Sequence, residues 1–504
     1  MALKLLLSII LVMGSIALLA DGVQPDGSGT EDAPYQVATL DNLLWVSTNS
    51  DSWGSHFIQT ADIDAGDTQN WNEGEGFSPI GSYPSQRQTQ FHGDYDGQGY
   101  TIEGLYINRP ALDHQGLFGY TQAALIENLG VTNVDVTGNE KVGGLVGLNC
   151  QNTTVNSCYS TGIVTGNEEV GGLIGESLYS CTIANCYSTV SLGGTADRSG
   201  GLVGENDEYS TISNCYSSGS VSGDGYTGGL VGLNSDFSLI SNCFSTGSTT
   251  GGFAVGGLVG QNKEDSSVSN CYSTGNVAGV GGIADNIGGL VGSIVDASIS
   301  NCYSTGIVSG DAYVGGFAGR NYGTISISFW DTETSGTSTG IGHGTIIGAT
   351  GKTTAEMQTL ATYTDAGWDF MEETANGTED FWGLNYEENG GYPFLEWQGY
   401  THNPVSVMDE TEAPLVTHLG ANYPNPFNPT TTIKFSVQVN ETAILEIFNM
   451  RGQLVKSYPA FSAGNHEVVW NGADNSGRSV ASGVYLYRLQ SGSAQQARKM
   501  MMLK

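Results

Sequence analysis

The sequence predicts an all-β protein, a parallel β-solenoid of about 28-residue rungs followed by a small antiparallel β-sandwich. The first observation behind this is a repeated sentence, clearest at 228–247 as GGLVGLNSDFSLISNCFSTG. Its Gly-Gly pairs begin at Gly143, Gly171, Gly200, Gly228, Gly256, Gly288 and Gly315, after a degenerate forerunner, QGLFG, at Gln115. A fixed period in this range marks an array whose units cannot bury an apolar face alone and must stack. The second observation is residue type. The units are rich in Gly, Ser, Thr, Asn, Val and Ile and carry no Leu, Ala, Glu and Lys at 3.6 spacing, so they are extended rather than helical. At roughly 3.3 Å per residue, such a unit makes one solenoid turn of two or three short strands with glycine corners. The third observation is a change of character near Leu419: the last 86 residues hold eight Lys or Arg against four Asp or Glu, and everything before holds eight against 47.

Stacked turns set like residues above like, at about 4.8 Å, so the period predicts ladders. Leu230, Leu258 and Leu290 form one apolar file, and Ile212, Ile240 and Ile299 another. Cys158, Cys186, Cys215, Cys243, Cys271 and Cys302 form a third, preceded by Leu129 and followed by Ser328 in the same slot. A disulfide or ligand position does not tolerate leucine, so these six are expected to be buried free thiols. Cys150 and Cys181 fall out of phase, and their pairing is left open. Each cysteine of the file is followed by an aromatic: Tyr159, Tyr187, Tyr216, Phe244, Tyr272 and Tyr303. A strand sends that ring to the opposite face, outward if the cysteine points in. The file is therefore the candidate ligand-contact surface, for sugar rings or a partner. The alternative is that it only covers the Gly-rich backbone.

Residues 1–20 read as a cleaved signal peptide: Lys4, an apolar run from Leu5 to Leu19, then Ala20 and a polar break. No later run is apolar enough to span a bilayer, so the mature chain is expected to lack a membrane span. A formal charge of -35 excludes nucleic acid as the main partner. Residues 21–112 are assigned to an N-terminal cap and the first turn, 113–330 to the solenoid, 331–397 to a C-terminal cap and 398–418 to a linker carrying Pro404 and Pro414. In the C-terminal cap, GKTTAEMQTLATY has a helix-like stretch with Thr354 as N-cap, and Trp368, Phe370, Phe381, Trp382, Tyr392, Phe394 and Trp397 make an aromatic finish. In 419–504, alternating apolar residues such as Ile444, Leu445, Ile447, Val468, Trp470, Val484 and Leu486 around NG and SG turns indicate an antiparallel, Ig-like sandwich.

The repeat sentence resembles the GLUG repeat of bacterial surface and secreted proteins. FHGDYDGQGYTIEGLYI (91–107), ISFWDTETSG (327–336) and GYPFLEW (391–397) resemble the segments that flank such arrays, so the likeness runs over about Gly93 to Trp397. The last 85 or so residues resemble the C-terminal sorting domain of type IX secretion cargo, through PNPFNP, RGQLV, WNGAD, GVYLYRL and ARKMMMLK. The residues carrying that motif are Pro424, Asn425, Pro426, Phe427, Asn428, Pro429, Gly483, Val484, Tyr485, Lys499 and Lys504. The resemblance implies a partner, the type IX secretion machinery, and a place in the medium or on the outer surface of a Gram-negative bacterium.

No catalytic, cofactor-binding or metal-binding residue emerges. The seven histidines are scattered, with no HExxH and no zinc spacing, and no GxSxG elbow occurs. GATGKTT at 348–354 fails the phosphate-loop pattern, because the place of its first glycine holds Ile346. Asp62, Asp64 and Asp67 have the alternation that suits Ca²⁺, but not the spacing of a calcium loop, and are read as turn residues. From 25 to 345 the basic residues are Arg87, Arg109, Lys141, Arg198, Lys263 and Arg320, with Lys141 and Arg198 in equivalent loops. The acidic pairs Glu168 with Glu169 and Asp207 with Glu208 are read as solvated. The expectation is a non-enzymatic, adhesin-like binding protein contacting glycans or a partner surface. A polysaccharide-active lyase or hydrolase, and a structural envelope or fibre component, are the alternatives.

Overall fold

The structure, a computed structural model, describes residues 22–82, 90–281, 284–373, 375–402, 417–492 and 494–502. The segment expected to be a signal peptide, Arg87, residues 403–416 of the expected linker and Lys504 lie outside them. The chain divides into two compact units, Met1–Trp330 with Thr334–Thr350, and Asp331–Glu333 with Gly351–Lys504.

The first unit is the parallel solenoid. One rung runs through Gly225–Gly228, Val231–Asn234, Leu239–Ser241, Phe244–Ser245 and Thr249–Gly251, five short strands where two or three were expected. Each pairs in parallel with its counterpart one repeat away, as in Ile212 with Ile240 and Ile240 with Val268. The corners explain the extra breaks. At the first glycine of each Gly-Gly pair a Cβ would meet the carbonyl oxygen three residues on, at 1.9 Å for Gly228 and Val231. A second corner places Asn185, Asn214, Asn242 and Asn270 at φ of 51 to 55°, a left-handed turn that asparagine tolerates.

The inward files are as expected. Leu230, Leu258 and Leu290 are fully buried. All eight cysteines are buried and free. Within the file, the Cys186 amide donates to Cys215 Sγ at 3.3 Å and the Cys302 amide to Ser328 Oγ at 3.2 Å, so a serine replaces a thiol without breaking the ladder. Asn206, Asn234 and Asn262 form a buried amide ladder, each Nδ2 donating to the next Oδ1 at 2.8 Å. This satisfies polar groups that burial would otherwise penalise.

The ends differ from expectation. Before the array, Tyr35–Val37, His56–Gln59 and Asp94–Asp96 already stack in register on Leu125–Glu127. The N-terminal segment thus supplies several rungs rather than a cap and one turn. It adds the helix Leu40–Thr48, N-capped by Thr39, which puts Leu43 and Val46 into the solenoid core. At the far end Ile341–Gly344 pairs with Ala318–Ser326, so the solenoid continues past 330.

In the second unit, Tyr363, Trp368, Trp382 and Phe394 are buried, with Trp368 and Trp382 centroids 4.7 Å apart. The cap of helix Thr354–Met357 is Thr353, in a capping box with Glu356, and not Thr354. Thr354 instead turns its amide to Glu333 and its hydroxyl to Asp331. Residues 418–502 form one six-stranded antiparallel sheet. One long strand, Thr431–Asn449, pairs through Ile433 with Val468 and through Ile447 with Tyr487, closing a core that includes Phe435, Leu445 and Trp470.

Candidate functional site

The aromatic file forms on the outer side of the cysteine file. From Tyr159 through Tyr187, Tyr216, Phe244 and Tyr272 to Tyr303, neighbouring rings stack at 4.7 to 5.0 Å with interplanar angles of 1 to 8°. Two details bear on its use as a platform. Phe244, Tyr272 and Tyr303 are 8%, 1% and 0% exposed, so only Tyr159, Tyr187 and Tyr216 present any edge to solvent. The ring faces are also covered: each lies against its neighbours, and Tyr159 packs over Gly130, where a Cβ would sit 2.4 Å from Tyr159 Cζ. A sugar stacks on a ring face, and among the described rings of this file the faces are turned to one another.

A different file brings functional groups together. The residue two before each Gly-Gly pair has a left-handed backbone: Lys141, Glu169, Arg198, Tyr226, Ala254, Asn286 and Tyr313, with φ of 39 to 61°. Across the corner runs the file that follows GLVG and contains Leu148, Glu176, Glu205, Leu233, Gln261, Ser293 and Arg320. The two files meet in a charge network. Lys141 Nζ lies 2.5 Å from Glu169 and 2.6 Å from Glu176. Arg198 bridges Glu169, Glu168 at 3.0 Å and Glu205 at 2.9 Å. The sequence expectation for Lys141 and Arg198 holds to the extent that they share one carboxylate, whereas Glu169, read as solvated, is buried.

Four carboxylates against two cations leave the network short of positive charge. Burial pushes the Glu205 carboxyl up to about 8, against the pull of Arg198 and with Glu176 and Glu169 adding to the rise. Burial likewise raises Glu176. His114, which opens the same corner file, is lowered to about 4 by burial and by Lys141. The oxygens of Glu169, Glu176 and Glu205 lie within 4.8 Å of one another, the spacing of a metal site. The donor set is already engaged by Lys141 and Arg198, so the geometry is satisfied by ion pairs. Asp62 accepts from Thr101 and Asp64 from the Gly66 amide, the bonds of turn residues.

Beside the corner file lies an open groove of about 600 Å³, lined by Asn167, Thr195, Asp197, Asp224, Tyr226 and Phe253 among others. Tyr226 and Phe253 meet edge to face at 5.7 Å. The reading of the sequence also missed an exposed stack, Tyr209 on Phe237 at 5.1 Å, 61% and 47% exposed. Its signal lay in the variable loops ENDEYST and LNSDFSL, which place both residues at positive φ.

In the C-terminal domain the structure gathers the expected motif. Phe427 is buried, its amide donating to Met501 O at 3.0 Å, and Asn425 Oδ1 accepts from the Met501 amide at 2.8 Å. The PNPFNP loop is thereby tied to the last strand, which also carries Lys499. Tyr485 is buried, between Gly483 and Val484 at the strand start and its hydroxyl bond to Ala481 O. Pro424, Pro426, Asn428, Pro429 and Lys499 remain exposed. No helix among the described residues is long and apolar enough to cross a membrane.

Comparison with known proteins divides the chain in the same way. The GLUG motif matches at 166–193, 196–222, 223–250 and 251–278, and the FlgD Ig-like domain at 424–495. Among similar proteins, halomucin of Haloquadratum walsbyi is 35% identical over 136 residues, 26% of this chain. A candidate Gly-rich membrane protein of Evansella cellulosilytica is 34% identical over 125 residues, 24% of this chain. The chain spans 2% and 14% of the length of those two relatives. Among solved structures, a candidate immunoglobulin A1 protease of Bacteroides ovatus is 20% identical with a TM-score of 0.40, over 74% of this chain and 94% of that one. Nothing about function rests on that likeness.

Proposed function

We propose that this chain is a secreted or surface-displayed solenoid that binds glycans without cleaving them. The observation that carries this is the open groove at 167–281, where an amide, a hydroxyl, two carboxylates and two rings line one surface. Sugars are held by such a mixture, hydroxyls on the polar groups and ring faces on the aromatics. Export through type IX secretion is supported by the motif resemblance of 419–504, and a surface location by the kind of protein in which GLUG repeats occur. The test is retention of the full chain on a panel of insoluble and soluble polysaccharides, with newly released reducing ends followed alongside. Retention without product, lost in Phe253→Ala, is the expected result; no retention on any member overturns the reading. For export, a reporter carrying a signal peptide and residues 419–504 is expected outside a bacterium that has the machinery and inside one that lacks it.

One observation favours a second reading, a polysaccharide-active enzyme. Glu205 is a buried carboxyl raised to about 8 beside two other carboxylates, the setting in which one acid protonates a leaving group while another acts as base or nucleophile. Release of reducing ends, abolished by Glu205→Gln, would replace binding with this activity.

A further inference from the structure

The corner file that borders the groove ends, three rungs on from Tyr226, at Tyr313. At the usual strand spacing that is about 14 Å away. There the facing file supplies Arg320, and its in-register neighbour is His343. Tyr322, two residues on along the same strand and hence on the same face, lies beneath the guanidinium, with Arg320 Cζ 4.4 Å from its ring centroid. The Tyr322 hydroxyl lies 3.0 Å from His343 Nε2. Tyr313 packs against the His343 ring at 4.4 Å. Tyr313 and Tyr322 are 42% and 45% exposed, so the cluster opens to solvent.

Its charge state sets it apart. Among the described residues of the solenoid unit, Arg109, Lys141, Arg198 and Lys263 each pair with a carboxylate. Arg320 pairs with none, in a chain of formal charge -35. Asp265 and Asp296 line an open groove of about 400 Å³ with Tyr322, yet neither forms an ion pair with Arg320. A guanidinium whose Cζ lies over a tyrosine ring can offer its planar fork to a carboxylate or sulfate, two hydrogen bonds at once. The exposed Tyr313 ring nearby suits the apolar face of a pyranose. We infer that Arg320, His343, Tyr313 and Tyr322 form a binding site for an acidic sugar, a uronate or sulfate ester, within a longer glycan lying along the corner file. This rests on the glycan-binding reading and names the ligand class. An anionic membrane fits poorly, because adsorption needs a cluster of cations and the surrounding surface is acidic. Beyond about a Debye length the acidic surface is screened by salt, so an acidic glycan can approach and is held by contact-range pairing with Arg320.

The test is titration calorimetry of the full chain with trigalacturonate, maltotriose and sodium sulfate. Trigalacturonate is expected to bind at least tenfold more tightly than maltotriose or sulfate. Arg320→Gln is expected to weaken it tenfold or more. Arg320→Lys, which keeps the charge but loses the fork, is expected to weaken it also. Tyr313→Ala serves as an independent variant on an exposed side chain, expected to weaken binding severalfold with an unchanged melting curve. Equal binding of trigalacturonate to wild type and to both Arg320 variants overturns the site. Sulfate binding as tightly as trigalacturonate overturns the sugar. In either case, retention on uncharged polysaccharide that Phe253→Ala abolishes would leave the groove reading intact, whereas loss of all retention would remove both.

Discussion

Two files run the length of the same solenoid, one residue per rung, and they behave in opposite ways. The outer aromatic file is Tyr, Tyr, Tyr, Phe, Tyr, Tyr, and each ring packs on the next at under 5.1 Å. The corner file is Lys, Glu, Arg, Tyr, Ala, Asn, Tyr, on a backbone that is left-handed throughout. Sameness in the first follows from physics: a parallel in-register stack rewards a ring that fits its neighbours and penalises one that does not. Variety in the second shows that the corner's shape is fixed by backbone and glycine rather than by one side-chain type: Ala254 and Asn286 are buried there, and Tyr313 is exposed. Files that repeat build the fold, and the file that varies carries the chemistry.

The sharpest way to break this division is at a repeating position. A methyl at Gly228 would lie 1.9 Å from Val231 O and 2.7 Å from Val231 C, backbone atoms that cannot step aside. Gly228→Ala is expected to lower the unfolding free energy by about 3 kcal/mol, read as a lower urea midpoint. Leu230→Ala, in a fully buried file, should cost a similar ~3 kcal/mol through its cavity. The exposed Tyr313→Ala should stay within about 0.5 kcal/mol. If Gly228→Ala and Tyr313→Ala cost the same, the distinction between the files fails.

The division also accounts for what could be read in advance. The solenoid, the inward leucines and isoleucines and the free cysteines were legible because each repeats at the period, and repetition is what a stacked core demands. Phe57 and Tyr95 pack in register below the array, but their rungs lack the Gly-Gly signature, so the N-terminal rungs were read as one turn. The corner network was illegible for the opposite reason. Lys141, Glu169 and Arg198 share no residue type, and their meeting with Glu176 and Glu205 depends on which side a left-handed residue points. Period analysis cannot supply that.

A second test addresses the network itself through pH. The Glu205 carboxyl is held up to about 8 in the folded chain by burial, from 4.5. Between those values the unfolded chain has released this proton and the folded chain has kept it. Stability must therefore fall as pH rises from about 4.5 to about 8, and level off above. Glu205→Gln is expected to flatten part of that slope in a series of melting curves; Glu176, raised in the same direction by burial, contributes the same sign and keeps some slope. A Glu205→Gln profile parallel to wild type would mean that the carboxyl is solvated and the corner file carries no buried charge deficit.

A smaller effect than those in the core decides the most about function. Tyr187 lies between Tyr159 at 4.7 Å and Tyr216 at 4.9 Å, both nearly parallel to it. Stacked pairs contribute about 0.5 to 1.5 kcal/mol each beyond their area, so Tyr187→Ala should cost about 1 to 2 kcal/mol of stability. Because its ring faces are covered, the same substitution should leave retention on polysaccharide unchanged, while Phe253→Ala does the reverse. The opposite pairing, retention lost with Tyr187 and stability untouched, would make the repeating file the contact surface. Repetition would then be serving the ligand's own period instead of the fold's.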